Sequence, residues 1–594
     1  MISLRLAAAV GAATVVLTAA SWASADEPKA HILGVADNRL RQEIERAVGT
    51  DKNPPQSRFE ARRRAASAAE DVASVLRSEG YYEAVVAPDV GEGDQPQSVV
   101  NVTPGPRFSF SSPQVSWVGE APVPVAQLAG ESAIGLTIGA PGRSADVLAA
   151  EGRVVASVQK RGYADAKVQP REVTVDHLPR TVQPTFRIDA GGRVRMDGIK
   201  LNSQGRTHAA WVDSLAPWKA GDIYDPDQVA QLEKRLRDTS VFDSVTVALD
   251  PMPNDKGERP VDVTIVDRAR STLELGASYS TAEGAGFDSK WVRYNSFGRG
   301  DTITFSLQAA DILSQVGAEI DLPNWLNAQR TLKLSTSVYR DDTNAYLETG
   351  ARIGADLEQR FGRNDFFTYG ATLVSSRDAE PQVIKGVLVK QTRPLTSIIG
   401  SVSMTLDHSN DILNPTQGWR MAVTAEPSVS AGDGPVQYVR AQVQTSAYVP
   451  LSPTASTVLA GRLRIGDIFN GGIPAIPASR RFYSGGGGSV RGYNYQGVGP
   501  RFPDNTPQGG ISLLETSFEL RQKVTGPFGV VAFVDSGVLG SQQTFDLSAV
   551  STGVGFGLRY DLGFAPFRAD IAFPLQRRNG DAGVQIYLSI GQSF

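Results

Sequence analysis

From about residue 271 to residue 594, apolar and polar side chains alternate with a period of two, and this constrains the fold more than any other feature of the chain. Leu273, Leu275, Ala277 and Tyr279 alternate with Glu274, Gly276 and Ser278, and Ile303, Phe305 and Leu307 with Thr302, Thr304, Ser306 and Gln308. The same holds for Leu332, Leu334 and Val338 against Thr331, Lys333, Ser335 and Ser337, for Leu463 and Ile465 against Arg462 and Arg464, and for Phe567, Ala569, Ile571 and Phe573 against Arg568, Asp570 and Ala572. The last run is the clearest: Val584, Ile586, Leu588 and Ile590 share one parity, and Gln585, Tyr587, Ser589 and Gly591 the other. Successive side chains on a strand point to opposite faces, so each run is a strand with one apolar and one polar face. Strands of a soluble sandwich also alternate. What decides is the extent of nearly helix-free alternation, with long polar connections between the runs. At about 20 residues per strand plus connection, this stretch holds roughly sixteen strands and fits an antiparallel transmembrane barrel, which must close because lipid cannot hydrogen-bond a free edge.

The first thirty residues point to export. Met1 to Arg5 carries one positive charge, Leu6 to Ala20 is apolar apart from small residues, and Ala23, Ser24 and Ala25 form an A-x-A site. The pattern predicts a secretory signal over 1–25 cleaved after Ala25, since the apolar run is shorter than the roughly 20 residues that span a bilayer as a helix.

Between residues 26 and 268 a scheme recurs about every 80 residues. Leu76-Arg-Ser-Glu-Gly80-Tyr81-Tyr82, Val158-Gln-Lys-Arg-Gly162-Tyr163 and Leu236-Arg-Asp-Thr-Ser240-Val241-Phe242 each bring a helix into a Gly or Ser, then an aromatic-containing corner, then a strand. Ala65, Ala68, Ala69, Val72, Val75 and Leu76 lie at helical spacing before the first corner, and Val229, Leu232 and Leu236 before the third, where Asp225 and Pro226 supply a cap and first-turn proline. Strands are predicted at 84–90, 182–188 and 261–266. Three small α+β domains fit this region, bounded at 26–105, 106–191 and 192–268, with the barrel over 269–594. Arg62, Arg63 and Arg64 lie opposite the apolar stripe of their helix, with Glu60 and Glu70 nearby, and read as a solvated face.

Composition removes several classes. The chain of 594 residues has no cysteine, which excludes a disulfide scaffold, thiolate zinc and a cysteine nucleophile. A net charge of −4 provides no footprint for nucleic acid. His31, His177, His208 and His408 are scattered without ligand spacing, and neither a G-x-S-x-G elbow nor a nucleotide fingerprint occurs in context, so neither catalysis nor a cofactor is predicted. The run Gly485 to Gly488 lacks the Lys-Ser/Thr of a phosphate loop and reads as a flexible loop entering the barrel.

Several segments resemble a known family. Arg481-Phe-Tyr-Ser-Gly485-Gly486-Gly487-Gly488-Ser489-Val490-Arg491-Gly492-Tyr493 is similar to the R-F-x-x-G-G-x-x-S-x-R-G-Y segment of the BamA/TamA superfamily of outer-membrane assembly factors, and Phe533-Val-Asp535-Ser-Gly537 to its F-x-D-x-G strand. Asn414-Pro-Thr-Gln-Gly418 resembles its N-P-T-x-G turn, Gly555-Phe-Gly557-Leu-Arg559-Tyr and Phe567-Arg-Ala-Asp570 its penultimate strands, and the sequence ends in Phe594, as such barrels commonly do. The resemblance implies that the N-terminal repeats are polypeptide-transport-associated (POTRA) domains. Three of them before a barrel resemble the TamA branch, the barrel subunit of a translocation and assembly module. It implies a lid loop folded into the lumen, with Arg491 paired to Asp535 on the barrel wall, Gly492 in close approach to that wall, and Tyr493 packed with its hydroxyl on a polar partner. A charge swap of Arg491 and Asp535 would then restore what either single change removes. Ile590, Gly591 and Phe594 would form the C-terminal signal and one side of a weak seam between the first strand, near 272–280, and the last, near 584–594. By parity with Val584 to Ile590, Phe594 is expected to face lipid. The resemblance further implies a Gram-negative outer-membrane location with periplasmic N-terminal domains, unfolded outer-membrane proteins and autotransporters as clients, outer-membrane lipid as surroundings, and a TamB-like periplasm-spanning partner. Phospholipid transport with such a partner, a passive channel and a two-partner secretion transporter are the alternatives.

Overall fold

The computed structural model describes residues 27–594 apart from 52, 93, 94, 204, 282, 385, 433 and 564. The predicted signal over 1–25, with Ala23 and Ala25, lies outside the described residues. The chain divides into two compact units, residues 1–196 with 221–227, and residues 197–220 with 228–594.

In the first unit, the helix Arg58–Ser78 buries Ala61, Ala65, Ala68, Ala69, Val72 and Leu76, and Ser57 caps it by accepting a hydrogen bond from the Glu60 N–H. Ala68, Ala69, Val72 and Leu76 share a core with Val100 and Val102 of Ser98–Thr103, the central strand between His31–Leu33 and Val85–Val90. A second sheet is centred on Thr181–Asp189, whose Val182, Phe186 and Ile188 pack with Val147, Ala150 and Val154 of the helix Ser144–Gln159.

The second unit opens with a three-stranded sheet in which Arg259–Asp267 lies between Met196–Asn202 and Phe242–Leu249. Val229, Leu232 and Leu236 are buried on the helix Pro226–Arg237, and the Asp225 carboxylate accepts the Asp227 N–H at its start. The recurring corner has a backbone cause. Gly80, Gly162 and Ser240 all adopt left-handed backbone, with φ of 92°, 103° and 58°. Glycine reaches that region freely, whereas the third copy forces a serine into it.

The rest of the second unit is a closed antiparallel barrel of sixteen strands: β1 (Ser271–Ser280), β2 (Gly284–Tyr294), β3 (Thr302–Ala310), β4 (Leu313–Leu322), β5 (Arg330–Asp342), β6 (Leu347–Arg360), β7 (Phe366–Ile384), β8 (Val387–Asp407), β9 (Gly418–Ala431), β10 (Pro435–Pro450), β11 (Thr457–Phe469), β12 (Ser512–Thr525), β13 (Phe528–Gly540), β14 (Ser551–Asp561), β15 (Pro566–Pro574) and β16 (Gln585–Ile590). The alternation read from the sequence is the inside and outside of this wall. Leu273, Leu275, Phe305, Leu307, Ile586 and Ile590 are exposed on the outer face, whereas Glu515, Ser517, Glu519, Asp535 and Asp570 are buried on the inner one.

The wall is uneven. β7 and β8 have 19 and 21 residues, while β16 has 6. β15 and β16 pair over six residues, but among the described residues β16 meets β1 at two register pairs, Tyr279 with Leu588 and Ser280 with Tyr587. Thr281 extends the junction: its N–H donates to the Ile586 carbonyl at 3.1 Å, its hydroxyl accepts the Ile586 N–H at 3.0 Å, and the same hydroxyl donates to Gln585 Oε1 at 2.6 Å.

Candidate functional site: a loop bound to the inner barrel wall

The chain between β11 and β12, residues 470–511, folds against inward-facing side chains on both sides of the lumen. Its anchor is Arg491, which is 1 % exposed. The Arg491 Nε donates to Asp535 Oδ2 at 2.7 Å, its Nη2 to Asp535 Oδ1 at 3.0 Å, and its backbone N–H to Asp535 Oδ2 at 3.1 Å. Two parallel N–H to oxygen bonds from a planar guanidinium are the strong, directional way to hold a carboxylate. The guanidinium also lies 3.5 Å over the Phe533 ring centroid, so residues two apart on β13 supply both an ion partner and a π face.

Asp535 does not act alone. Arg491 Nη1 reaches Glu519 of β12 at 2.8 Å and Asp570 of β15 at 3.0 Å. Glu519 also pairs with Arg521 at 2.9 Å, and Asp570 with Arg559 at 2.5 Å and Arg568 at 3.4 Å. Three carboxylates (519, 535, 570) and four guanidiniums (491, 521, 559, 568) thus form one buried network across β12 to β15. Arg491 is the member supplied by the loop.

The neighbouring loop residues are placed by close contacts. Gly492 has φ +97°, and a Cβ there would lie 2.9 Å from the Phe573 carbonyl carbon. Its N–H donates to the Tyr587 hydroxyl at 3.1 Å. The buried Tyr493 places its hydroxyl 3.2 Å from the Thr552 and Gln576 carbonyl oxygens. Val490 is fully buried against the wall at Gly537, where a Cβ would come within 2.7 Å of a Val490 methyl and 2.9 Å of the Ser484 Oγ. Gly485 and Gly486 both have positive φ, and a Cβ on Gly486 would meet Tyr495. Arg481 sits apart from this group. Its Nη2 donates to Glu380 of β7 at 2.9 Å, with both side chains buried, and its Nη1 to the Gln508 carbonyl at 3.1 Å. The motif residues therefore attach on β7 through Arg481, across β11 to β16 through Gly488 to Tyr493, and on the β1–β2 turn through the Gly487 N–H, which donates to Glu283 Oε1 at 3.0 Å.

Glu519, Asp570, Tyr587 and Glu380 complete these attachments, yet no motif reading assigned them a role. A signal for Glu519 exists, because Glu515, Ser517, Glu519 and Arg521 share the polar parity of their strand.

The C-terminal residues overturn one expectation. Phe594 does not face lipid. Strand pairing stops at Ile590, Gly591 takes φ +92°, and the next three residues turn into the lumen. Gln592 donates to Asn414 Oδ1 at 3.0 Å and accepts from Arg559 Nε at 3.0 Å, Ser593 Oγ bonds Glu519 Oε1 at 2.5 Å, and Arg521 Nη2 donates to the Phe594 O at 3.2 Å. The Phe594 ring packs with Tyr448, Val458 and Ala460, and the guanidiniums of Arg462 and Arg521 lie 5.3 and 5.4 Å from its centroid. Period-two parity fails at Gly591 because a left-handed residue reverses the alternation that a strand imposes.

A closed sixteen-strand wall with an apolar exterior, a charged interior and a long loop held inside it defines an outer-membrane β-barrel. Residues 295–594 match the Omp85 superfamily domain, and the chain belongs to that superfamily. It is 22 % identical over 445 residues to the outer membrane protein assembly factor BamA of Neorickettsia risticii (70 % of this chain, 59 % of that one) and 22 % identical over 592 residues to BamA of Neisseria meningitidis (88 % and 72 %). It thus spans about three fifths of the first of these relatives. The fold is similar to the crystal structure of BamA from Haemophilus ducreyi lacking POTRA domains 1–3, with a TM-score of 0.67 at 16 % identity, covering 81 % of this chain and 99 % of that one. The protein is a Gram-negative outer-membrane protein whose N-terminal domains are periplasmic.

Proposed function

We propose that the protein is an assembly or translocation factor that passes outer-membrane β-barrel and autotransporter proteins into or across the membrane through the seam between β1 and β16, without catalysis. The observation that carries this reading is the brevity of the seam. Among the described residues two register pairs and the bonds of Thr281 hold the closing edges, where neighbouring strands share six register pairs or more. An edge that parts leaves unpaired N–H and C=O groups in lipid, which is costly, and an incoming strand relieves that cost by pairing. The relatives named as assembly factors support the same role. The loop that Arg491 and Arg481 fasten inside the lumen speaks against a free-standing passive channel.

In this reading residues 26–105, 106–191 and 192–268 are three POTRA domains. They carry sheet edges, among them Val85–Val90 and His31–Leu33, on which a client strand can add by β-augmentation. Three such domains support the TamA branch, with a TamB-like periplasmic partner. Arg481, Gly485, Gly486, Val490, Arg491, Gly492 and Tyr493 act as the lid loop, Phe533, Asp535 and Gly537 as its seat, and Ile590, Gly591 and Phe594 as the C-terminal signal, with Ile590 and Gly591 at one side of the seam.

The test uses the absence of native cysteine. Tyr279→Cys with Leu588→Cys places a thiol pair at matched register on the outer face. Oxidation is expected to abolish client insertion and reduction to restore it. Insertion that survives complete cross-linking overturns the lateral route.

A further inference from the structure

Where the second unit's N-terminal sheet region meets the barrel, a groove of about 800 Å³ opens at the periplasmic rim. It is formed by the segment Arg206 to Trp211, the β2–β3 turn and the β4–β5 turn. Trp211, Phe297, Trp325 and Leu326 supply apolar surface, Arg299 supplies positive charge, and the Arg206 side chain at its edge is paired with Asp267.

The groove is rigidly built. The Asp301 carboxylate, fully buried, accepts the N–H groups of Ser296 and Phe297 at 2.8 and 2.9 Å, which fixes the β2–β3 turn. The His208 N–H donates to the Gly298 carbonyl at 2.9 Å, and a Cβ at Gly300 would lie 2.7 Å from the Trp211 ring. The nearby Asp267 is likewise occupied, accepting from the Arg206 N–H and the Thr207 hydroxyl. Asp301 is spent on backbone donors, and Asp267 on backbone, hydroxyl and amide donors and on the Arg206 guanidinium at 3.7 Å, whose Nη2 also donates to the Arg268 carbonyl at 3.2 Å, whereas the Arg299 side chain is exposed.

Position selects the ligand. Leu322, which lines the groove, has the outward parity of Ile320 and Val316 on β4, so the groove continues the lipid-facing wall at its periplasmic end. Trp325 is 38 % and Leu326 84 % exposed on the turn beyond. Tryptophan with an apolar neighbour and arginine is the composition that settles at the headgroup level of a bilayer.

We infer that this groove binds a phospholipid of the periplasmic leaflet, its phosphate on Arg299 and one acyl chain along Trp211, Trp325 and Leu326. The bound lipid would fasten the third N-terminal module to the membrane beside β2 to β5, away from the β1–β16 seam.

The full-length protein, reconstituted in phosphatidylcholine vesicles containing phosphatidylglycerol with a photoactivatable acyl chain, tests this. Cross-links should concentrate in 206–211, 297–299 and 323–326, and Arg299→Glu should lower the yield there by about fivefold or more, the effect of reversing one cation near an anionic surface. Leu326→Ser, at a side chain too exposed to alter folding, should lower it as well, and heat-modifiable gel migration verifies that each barrel is intact. Cross-links spread evenly over the other periplasmic turns, a yield unchanged in both variants, or equal displacement by soluble glycerol phosphate would each overturn the assignment.

Discussion

Arg491 and Asp535 are joined three times, by Nε to Oδ2 at 2.7 Å, Nη2 to Oδ1 at 3.0 Å and the Arg491 N–H to Oδ2 at 3.1 Å. Side chain and backbone of one loop residue thus converge on one carboxylate. Because Arg491 also faces Glu519 and Asp570, a charge swap with Asp535 would set a new carboxylate against two existing ones. The swap is therefore expected to fail, contrary to the simple pairwise reading. Arg491→Ala should destabilise the barrel by about 3–5 kcal/mol, the usual cost of stranding buried partners. Arg491→Lys should recover only part of this, since an ammonium cannot reproduce the fork. The midpoint of heat-modifiable migration measures all three.

Val490 and Gly537 make a separable contact. Gly537→Ala puts a methyl 2.7 Å from the Val490 side chain and 2.9 Å from Ser484 Oγ, so the loop must shift. Faster trypsin cleavage at Arg501 is expected, and Val490→Ala in the same chain should slow it again. Cleavage equal to that of the unaltered protein in Gly537→Ala would place the loop elsewhere.

The inward tail is open to labelling. A cysteine in place of Ser593 (Ser593→Cys) should react slowly with a membrane-impermeant maleimide, because Gln592 and Phe594 still tie the tail to Asn414, Arg559 and Arg521. Adding Phe594→Ala removes the packing on Tyr448 and the two arginine contacts, and labelling should rise several-fold. If the ring lay in lipid, labelling at 593 would not respond in this way.

Ser240 carries strain that its counterparts avoid. Its φ of 58° matches the glycine corners of the other two copies. Ser240→Gly should raise stability by about 1 kcal/mol, and Gly162→Ala should lower it by more, since a Cβ there would lie 2.6 Å from Ile223. Urea unfolding followed by the fluorescence of the buried Trp218 reads the first, and limited proteolysis of the N-terminal region the second.

These residues also show what alternation can and cannot reveal. Period two places Glu519 and Asp570 on the polar face but does not say that both lie beside Arg491, because which strands flank which is a property of barrel closure. The helices ending at Gly80, Gly162 and Ser240 are legible because burial at spacings of three and four is a local pattern. Parity does not reach Phe594, because alternation extends only as far as the backbone stays extended, and Gly591, a residue free to turn left-handed, ends it. The six-residue length of β16 is not legible either. Val584 to Ile590 alternates cleanly, but pairing depends on the neighbour's edge.

That length bears on the bilayer itself. Six residues at about 3.3 Å each, inclined by about 40°, rise roughly 15 Å along the membrane normal, well short of an apolar band about 25 Å tall. β7 and β8, at 19 and 21 residues, exceed it severalfold in length. Lipid around one barrel therefore meets two different thicknesses. Beside β16 acyl chains must compress or tilt to cover the shorter wall, at a cost of fractions of a kcal/mol per Å of mismatch. A bilayer of ordinary thickness would have to deform at the place where the wall is least joined, so the response of this edge to acyl-chain length becomes a property of the protein.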